Sequence, residues 1–307
     1  MSEGQISFRK QMAFEYGVAE TVRPLIRRVV ARNPSAFTFH GTNTFIVGRG
    51  RVAVIDPGPL LDEHLDALVA ALAGETVAHI LVSHTHLDHS PAARPLQERV
   101  GGTVHGALPR PIPAGERPAE SIQYDFAPDE LLADGTVIAG DGWTLEAVHT
   151  PGHMSNHMCF ALREESVLFT GDHIMGWNTT IVSPPDGNMR EYMASLDRCL
   201  ARPETAYLPA HGPEIPDPVP FTRAYRSHRR MREGEIMRCL NDGVRTIPEM
   251  VKRMYRHLPE TMHRAASRSV LAHLEHMVET GRVVADGPVR ADAVFRPGRE
   301  SAPDEQV

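Results

Sequence analysis

Four side chains that bind transition metals fall within six positions of one stretch, Ser83-His84-Thr85-His86-Leu87-Asp88-His89-Ser90. Imidazole and carboxylate are the ligands that suit zinc and its first-row neighbours. The run before it, Ala78-His79-Ile80-Leu81-Val82, is apolar enough to read as a buried strand, so the cluster sits where a strand gives way to a loop. On a loop these side chains can turn to different sides, His84 and His86 toward one ion, Asp88 and His89 toward a second.

A structural zinc takes four ligands, and a catalytic ion keeps one position open for water, so this stretch is incomplete by itself. Three more candidates sit in glycine-containing turns at the ends of predicted strands. They are His153 in Thr150-Pro151-Gly152-His153, Asp172 in Thr170-Gly171-Asp172-His173, and His211 in Pro209-Ala210-His211-Gly212. Each taken alone reads equally well as a turn or cap residue. Together they complete two sets, with His84, His86 and His153 on a first ion, Asp88, His89 and His211 on a second, and Asp172 bridging. Two ions about 3.5–4 Å apart suit a shared hydroxide able to attack an acyl carbon or a phosphorus. Asp88 is then both ligand and acceptor of the water's proton. His149 and His157, which flank one of the turns, read as strand-end residues.

The elements that must hold these turns alternate. Residues 21–31 and 43–55 read as strands, the second range holding a hairpin about Gly48-Arg49-Gly50, and Ile55-Asp56-Pro57-Gly58 ends it. Leu61, Leu65, Leu68, Val69 and Leu72 have helical spacing up to Gly74, and a second helix runs from about Pro91 to Arg99. This is an α/β pattern with helices covering a sheet. Residues 106–128, rich in proline and glycine, read as a long loop over an active site. Strands follow at 136–138, 143–148, 158–162 and 166–169, then a helix over 189–200 and a strand at 206–208. After the prolines at 213, 216, 218 and 220 come three helices and the two-stranded wing of a winged helix. The expected division is 1–215, 216–296, and a disordered tail over 297–307.

Composition narrows the setting. A chain of 307 residues buries one large core or two smaller ones. Its longest apolar runs are too short to span a bilayer, so no membrane partner is expected. Met1 to Lys10 is polar and lacks an apolar signal core, which points to the cytoplasm. Three widely spaced cysteines make neither a disulfide framework nor a metal knuckle, whereas 17 histidines favour a metal site. The net charge of -7 argues against generic nucleic-acid binding by the whole chain.

His84-Thr85-His86-Leu87-Asp88-His89, Thr150-Pro151-Gly152-His153, Thr170-Gly171-Asp172 and Pro209-Ala210-His211-Gly212 resemble, in order, the motifs of the metallo-β-lactamase-fold hydrolase superfamily. The resemblance covers about residues 20–215. It implies a four-layer αββα sandwich with a dinuclear site at one edge of its two sheets, two zinc ions (manganese or iron(II) being alternatives), and Asp56 orienting the site without binding metal. Gly41-Thr42-Asn43-Thr44, the run 152–158, Ser227-His228-Arg229 and the C-terminal winged helix resemble the narrower β-lactamase-like protein 2 branch, which includes endoribonucleases and thioesterases acting on carrier-bound acyl chains. His173 departs from the cysteine that the endoribonucleases tend to have there, and is a candidate for either packing or contact with substrate.

The expected activity is metal-dependent hydrolysis of an acyl ester, thioester or lactone, on a small or carrier-bound substrate. Residues 221–290 hold 14 Lys and Arg against 8 Asp and Glu, which keeps single-stranded RNA as an alternative substrate. Two other classes stay open: an iron-dependent oxidoreductase on the same fold, and a winged-helix regulator of nucleic acid with a vestigial site. The C-terminal domain is also a candidate homodimer contact, and its removal after Pro213 is expected to affect substrate choice or dimerisation more than metal content.

Overall fold

Strands β1 (Glu20–Arg23), β2 (Ile26–Val30), β3 (Asn43–Val47), β4 (Arg51–Ile55), β5 (Thr76–Leu81), β6 (Thr103–Gly106) and β7 (Glu130–Leu131) lie in that order in one sheet. The computed structural model describes residues 6–111 and 121–298. β1 to β4 form an antiparallel meander, with the expected hairpin in register Phe45↔Ile55 and Val47↔Ala53. From β4 to β7 the pairing is parallel. Parallel neighbours need crossovers, and helices α1 (Asp62–Ala71) and α2 (Ala93–Val100) supply the first two.

A second sheet has the order β12-β11-β10-β9-β8. Its strands are β8 (Val137–Gly140), β9 (Trp143–His149), β10 (Met158–Leu162), β11 (Val167–Gly171) and β12 (Ala206–Pro209). Only β11 and β12 run parallel, and helix α3 (Met189–Leu200) crosses between them. The Asn188 side chain caps α3 by accepting from the Glu191 N–H at 3.0 Å.

Period-two alternation makes the layers. Along β10, Met158, Phe160 and Leu162 enter the core between the sheets, whereas Cys159 and Ala161 enter the core under α3. Along β4, Ala53 and Ile55 face the inter-sheet core while Val52 and Val54 face α1 and α2. The four layers are therefore helix, sheet, sheet, helix, as the resemblance implied. The sequence pattern does not predict strands β6 and β7. The first holds one apolar β-former beside paired glycines, and the second is two residues long.

The C-terminal region has helices α4 (Pro218–Asn241), α5 (Ile247–Met254) and α6 (His263–Glu279), then the wing β13 (Val283–Ala285) and β14 (Phe295–Pro297). Proline stands in the first turn of both α4 and α5, where its missing N–H costs nothing. One face of α4 serves two cores. Phe221 and Tyr225 pack with α3 and the second sheet, while Ile236, Cys239 and Leu240 pack with α5, α6 and the wing. Pro297 ends β14. The remainder of the expected tail, 299–307, and residues 112–120 of the expected loop lie outside the described residues. Among the described residues no helix is long and apolar enough to cross a membrane.

Candidate metal centre

Four turns leave the same edge of the two sheets and meet. The loop after β5 carries His84, His86, Asp88 and His89, the turn between β9 and β10 carries His153, the end of β11 leads into Asp172, and the end of β12 into His211. All seven predicted donors arrive there, in two groups: His84, His86, His153 and Asp172, and Asp88, His89 and His211.

In the first group His86 Nδ1 stands 3.0 Å from His84 Nε2 and 3.0 Å from His153 Nε2, and His153 Nε2 is 3.6 Å from Asp172 Oδ2. In the second, His211 Nε2 is 3.2 Å from Asp88 Oδ2, and His89 Nε2 is 3.5 Å from the same oxygen. Asp172 joins both groups, because its other oxygen, Oδ1, is 3.2 Å from His211 Nε2 and 3.7 Å from His89 Nε2. Donors about 2.0–2.1 Å from a tetrahedral metal stand roughly 3.3 Å from one another, and these separations straddle that value. His89 Nε2, His211 Nε2 and Asp172 Oδ1 are buried with no hydrogen-bond partner among the described residues. An unpaired buried polar atom costs about 1–3 kcal/mol, so three around one point fit a cation that they share.

The far side of four of the five rings, His84, His89, His153 and His211, is in contact with a polar group, which fixes the nitrogen that faces inward. His153 Nδ1 donates to the Ile181 carbonyl at 2.6 Å and His211 Nδ1 to the Gly41 carbonyl at 3.2 Å. His89 Nδ1 lies 3.0 Å from Asp56 Oδ2. Asp56 also accepts from the Ser83 N–H and hydroxyl, both at 2.7 Å, and Ser83 Oγ is 3.0 Å from His84 Nδ1. Asp56 thus touches the loop and the His89 ring but offers no atom to either donor group. It has φ +50, a left-handed conformation that aspartate tolerates better than most residues.

Charge separates the groups. Burial, reinforced by His89, His86 and His153 nearby, holds His84 well below its usual range, and burial pushes His86 down to about 3. These two imidazoles are neutral and ready to bind, whereas at His89 burial is overcome by Asp88, Asp172 and Asp56, which raise it well above its usual range, so that it holds a proton a bound cation would displace. Burial alone would also depress His211, but Asp172 and Asp88 overcome it and raise it to about 10. Asp88 has the reverse balance: burial would raise it, and His89 and His211 hold it well below the usual carboxylate range. Asp88 is nonetheless the most exposed of these carboxylates, at 26 % against 10 % for Asp172 and 2 % for Asp56.

His173, a candidate for either packing or contact with substrate, is fully buried with its ring 4.8 Å from that of Tyr192, and burial pushes it down to about 3. His157 is also fully buried, and does more than end a strand. Its Nε2 accepts the Asp172 N–H at 3.1 Å and its Nδ1 contacts Thr150 Oγ1 at 2.9 Å, which links the turn of His153 to that of Asp172. Gly171 makes room for it, since a Cβ there would fall 2.6 Å from His157 Nε2. Asn43 likewise donates to the Pro209 and Gly212 carbonyls on either side of His211, at 3.0 and 2.9 Å. The end of the 106–128 loop lies against the ligand stretch, where Leu87 N–H donates to the Ser121 carbonyl and Gln123 N–H to the Thr85 carbonyl.

Comparison with known proteins agrees with this geometry. Residues 37–211 match the metallo-β-lactamase superfamily, and residues 246–290 match the β-lactamase associated winged helix domain. A β-lactamase-like protein 2 homolog from Caenorhabditis elegans is 30% identical over 86% of this chain and 88% of its own. An atrochrysone carboxyl ACP thioesterase from Aspergillus chevalieri is 32% identical over 80% of this chain and 78% of its own. Among solved structures, a β-lactamase domain protein from Burkholderia ambifaria shares the fold at TM-score 0.78 and 19% identity, covering 97% of this chain and 98% of its own. A metallo-β-lactamase family protein from Thermus thermophilus does so at TM-score 0.74 and 23% identity, covering 90% and 100%. The chain belongs to the metallo-β-lactamase superfamily, as a metal-binding hydrolase whose catalytic fold is followed by a β-lactamase associated winged helix domain.

Proposed function

We propose that this chain hydrolyses acyl thioesters or related acyl esters with two divalent cations, zinc first among them and manganese or iron(II) next. His84, His86 and His153 would hold one cation, Asp88, His89 and His211 the other, and Asp172 would give one oxygen to each. That division of the Asp172 carboxylate between two donor groups is the observation that carries the reading. Bound there, the cations supply the Lewis acidity that lowers the pKa of water and offsets charge developing on the attacked carbonyl oxygen. The chain's own residues do the rest. Asp88, the carboxylate that reaches solvent, takes the attacking water's proton on Oδ1, the oxygen it does not give to the donor group. Asp56 holds the loop and the His89 ring in place through its contacts with Ser83 and His89.

Three observations favour an acyl substrate. The thioesterase relative carries that activity in its name. Leu87, between His86 and Asp88, is 45 % exposed and offers an apolar surface beside the donors. Of the five arginines at the start of α4, three are engaged within the chain: Arg226 with Asp197, Arg232 with Glu235 and the Tyr255 ring, and the buried Arg229 with the Thr180 carbonyl. The catalytic fold and the winged helix are placed in the same chain so that the second domain guides a carrier-bound substrate, inside the cytoplasm.

A panel assay of purified protein with defined metal content tests this, using a pantetheine thioester, a lactone, a β-lactam and single-stranded RNA. Thioester cleavage that chelator abolishes and zinc restores is the expected result. RNA cleavage with no thioester turnover would overturn the substrate class, and stoichiometric iron with oxygen uptake would overturn the hydrolytic reading.

A further inference from the structure

Arg229, on α4 beyond the superfamily match, is 3 % exposed and forms no ion pair among the described residues. A buried cation without a carboxylate is unfavourable, so its surroundings call for an account. Its guanidinium stands 4.9 Å over the Tyr192 ring and donates to the Thr180 carbonyl. Both partners lead back to the metal centre. Tyr192 donates its hydroxyl to the His173 carbonyl at 2.7 Å. Thr180 Oγ1 lies 2.7 Å from the Asp172 carbonyl and 3.0 Å from that of His173. The next residue, Ile181, supplies the carbonyl that accepts from His153 Nδ1. One helical turn before Arg229, the Tyr225 hydroxyl contacts the Met175 and Asn178 carbonyls of the same loop.

We infer that Arg229 is a positioning residue for the metal centre: from α4 it fixes the 180–181 peptide, and through it the inward aim of His153 and Asp172. Two ligand turns that share no sequence neighbourhood are thus held from a third element, whose other half lies in the core of the winged helix domain. This inference rests on the ligand assignment proposed above and extends it.

The test uses the full chain. Arg229→Met keeps the stem and removes the charge and donor; Arg229→Lys keeps the charge; Thr180→Val removes the hydroxyl at similar volume; Arg226→Ala, one turn away on an exposed ion pair, is the control. Zinc affinity is read by chelator competition, the ligand field by the visible spectrum of the cobalt-substituted protein, and stability by melting with and without metal. Arg229→Met and Thr180→Val are expected to weaken zinc binding about 10–100-fold and alter the cobalt spectrum. The melting increment produced by metal should shrink, since that increment follows affinity. Lys should restore part of the loss, and Arg226→Ala should match wild type. A purely structural Arg229 would lower both melting temperatures equally and leave affinity and spectrum unchanged, which would overturn the inference. If Arg229→Met does not fold, Arg229→Lys, which lacks the planar fork that bonds the Thr180 carbonyl, decides by the same readouts against wild type. A wild-type protein that takes up no metal would overturn the ligand assignment itself; one that loads, with variants that load equally, would overturn only the role of Arg229.

Discussion

The proposed function gives Asp88 two tasks, ligand and proton acceptor. In the metal-free chain His89 and His211 hold it well below the usual carboxylate range, and its side chain is 26 % exposed, enough to meet water. Asp88→Ala should therefore lower turnover of the chain's substrate by roughly 10²–10⁴-fold, the usual worth of a positioned acid or base, and should weaken one cation more than the other. Steady-state rates with metal analysis on the same sample check this, and near-wild-type turnover would refute the role. The residues of this scale were legible in different degrees. Four donors in six positions announce themselves. His153, Asp172 and His211 do not, because a histidine or aspartate beside glycine is an ordinary turn residue, and only as a set do they fill out the two donor groups. His173 and His157 could not be sorted by type. Both are buried histidines near the site, and only the backbone decides that one packs on Tyr192 while the other accepts from the Asp172 N–H.

Among the elements, the turn at Thr150-Pro151-Gly152-His153 shows how closely the site is built against a helix. Gly152 has φ +135, and a Cβ there would fall 2.3 Å from Tyr192 Cα on α3. Its carbonyl also accepts from Asn188 N–H at the start of that helix, 2.9 Å away. Gly152→Ala should destabilise the fold by about 2–4 kcal/mol, combining backbone strain with overpacking, and should shed metal because His153 follows directly. Urea unfolding and metal retention through gel filtration would show it; a change under about 0.5 kcal/mol, the size of an ordinary surface substitution, would contradict the packing described. Strand and helix existence was readable from period two and period 3.6. Helix α3 has the span that its sequence pattern predicts, 189–200. What periodicity could not reveal was the double duty of α4. A helix with arginines at 223, 226, 229, 230 and 232 reads as a solvated or nucleic-acid-facing surface, and nothing in that pattern marks Arg229 as the buried one.

For the whole molecule, α4 changes what removing the C-terminal region should do. Deletion after Pro213 takes Phe221 and Tyr225 out of the core beneath α3 and removes Arg229 from the 180–181 loop. The truncated chain should lose metal and solubility together, whereas the sequence pattern alone suggests that metal content would be spared. A soluble fragment with full metal would oppose this. Acid is a second global test. Burial pushes His64 down to about 4, and His173 and His228 each to about 3, from an ordinary 6.5. The unfolded chain therefore binds more protons than the folded one between those values. The stability involved is fully present above pH 6.5 and is lost as pH falls toward 4 and 3, His64 alone contributing on the order of 3 kcal/mol. Urea midpoints of metal-free protein should be lower near pH 4.5 than near pH 7.5, and equal midpoints would count against it. The central claim is that four turns from two sheets assemble one site for two cations. Metal stoichiometry of the purified full chain, measured together with thioester turnover as metal is titrated back, tests it most directly. Two equivalents per chain, with turnover rising as the second binds, is the predicted result; full turnover with one equivalent or none would contradict the account.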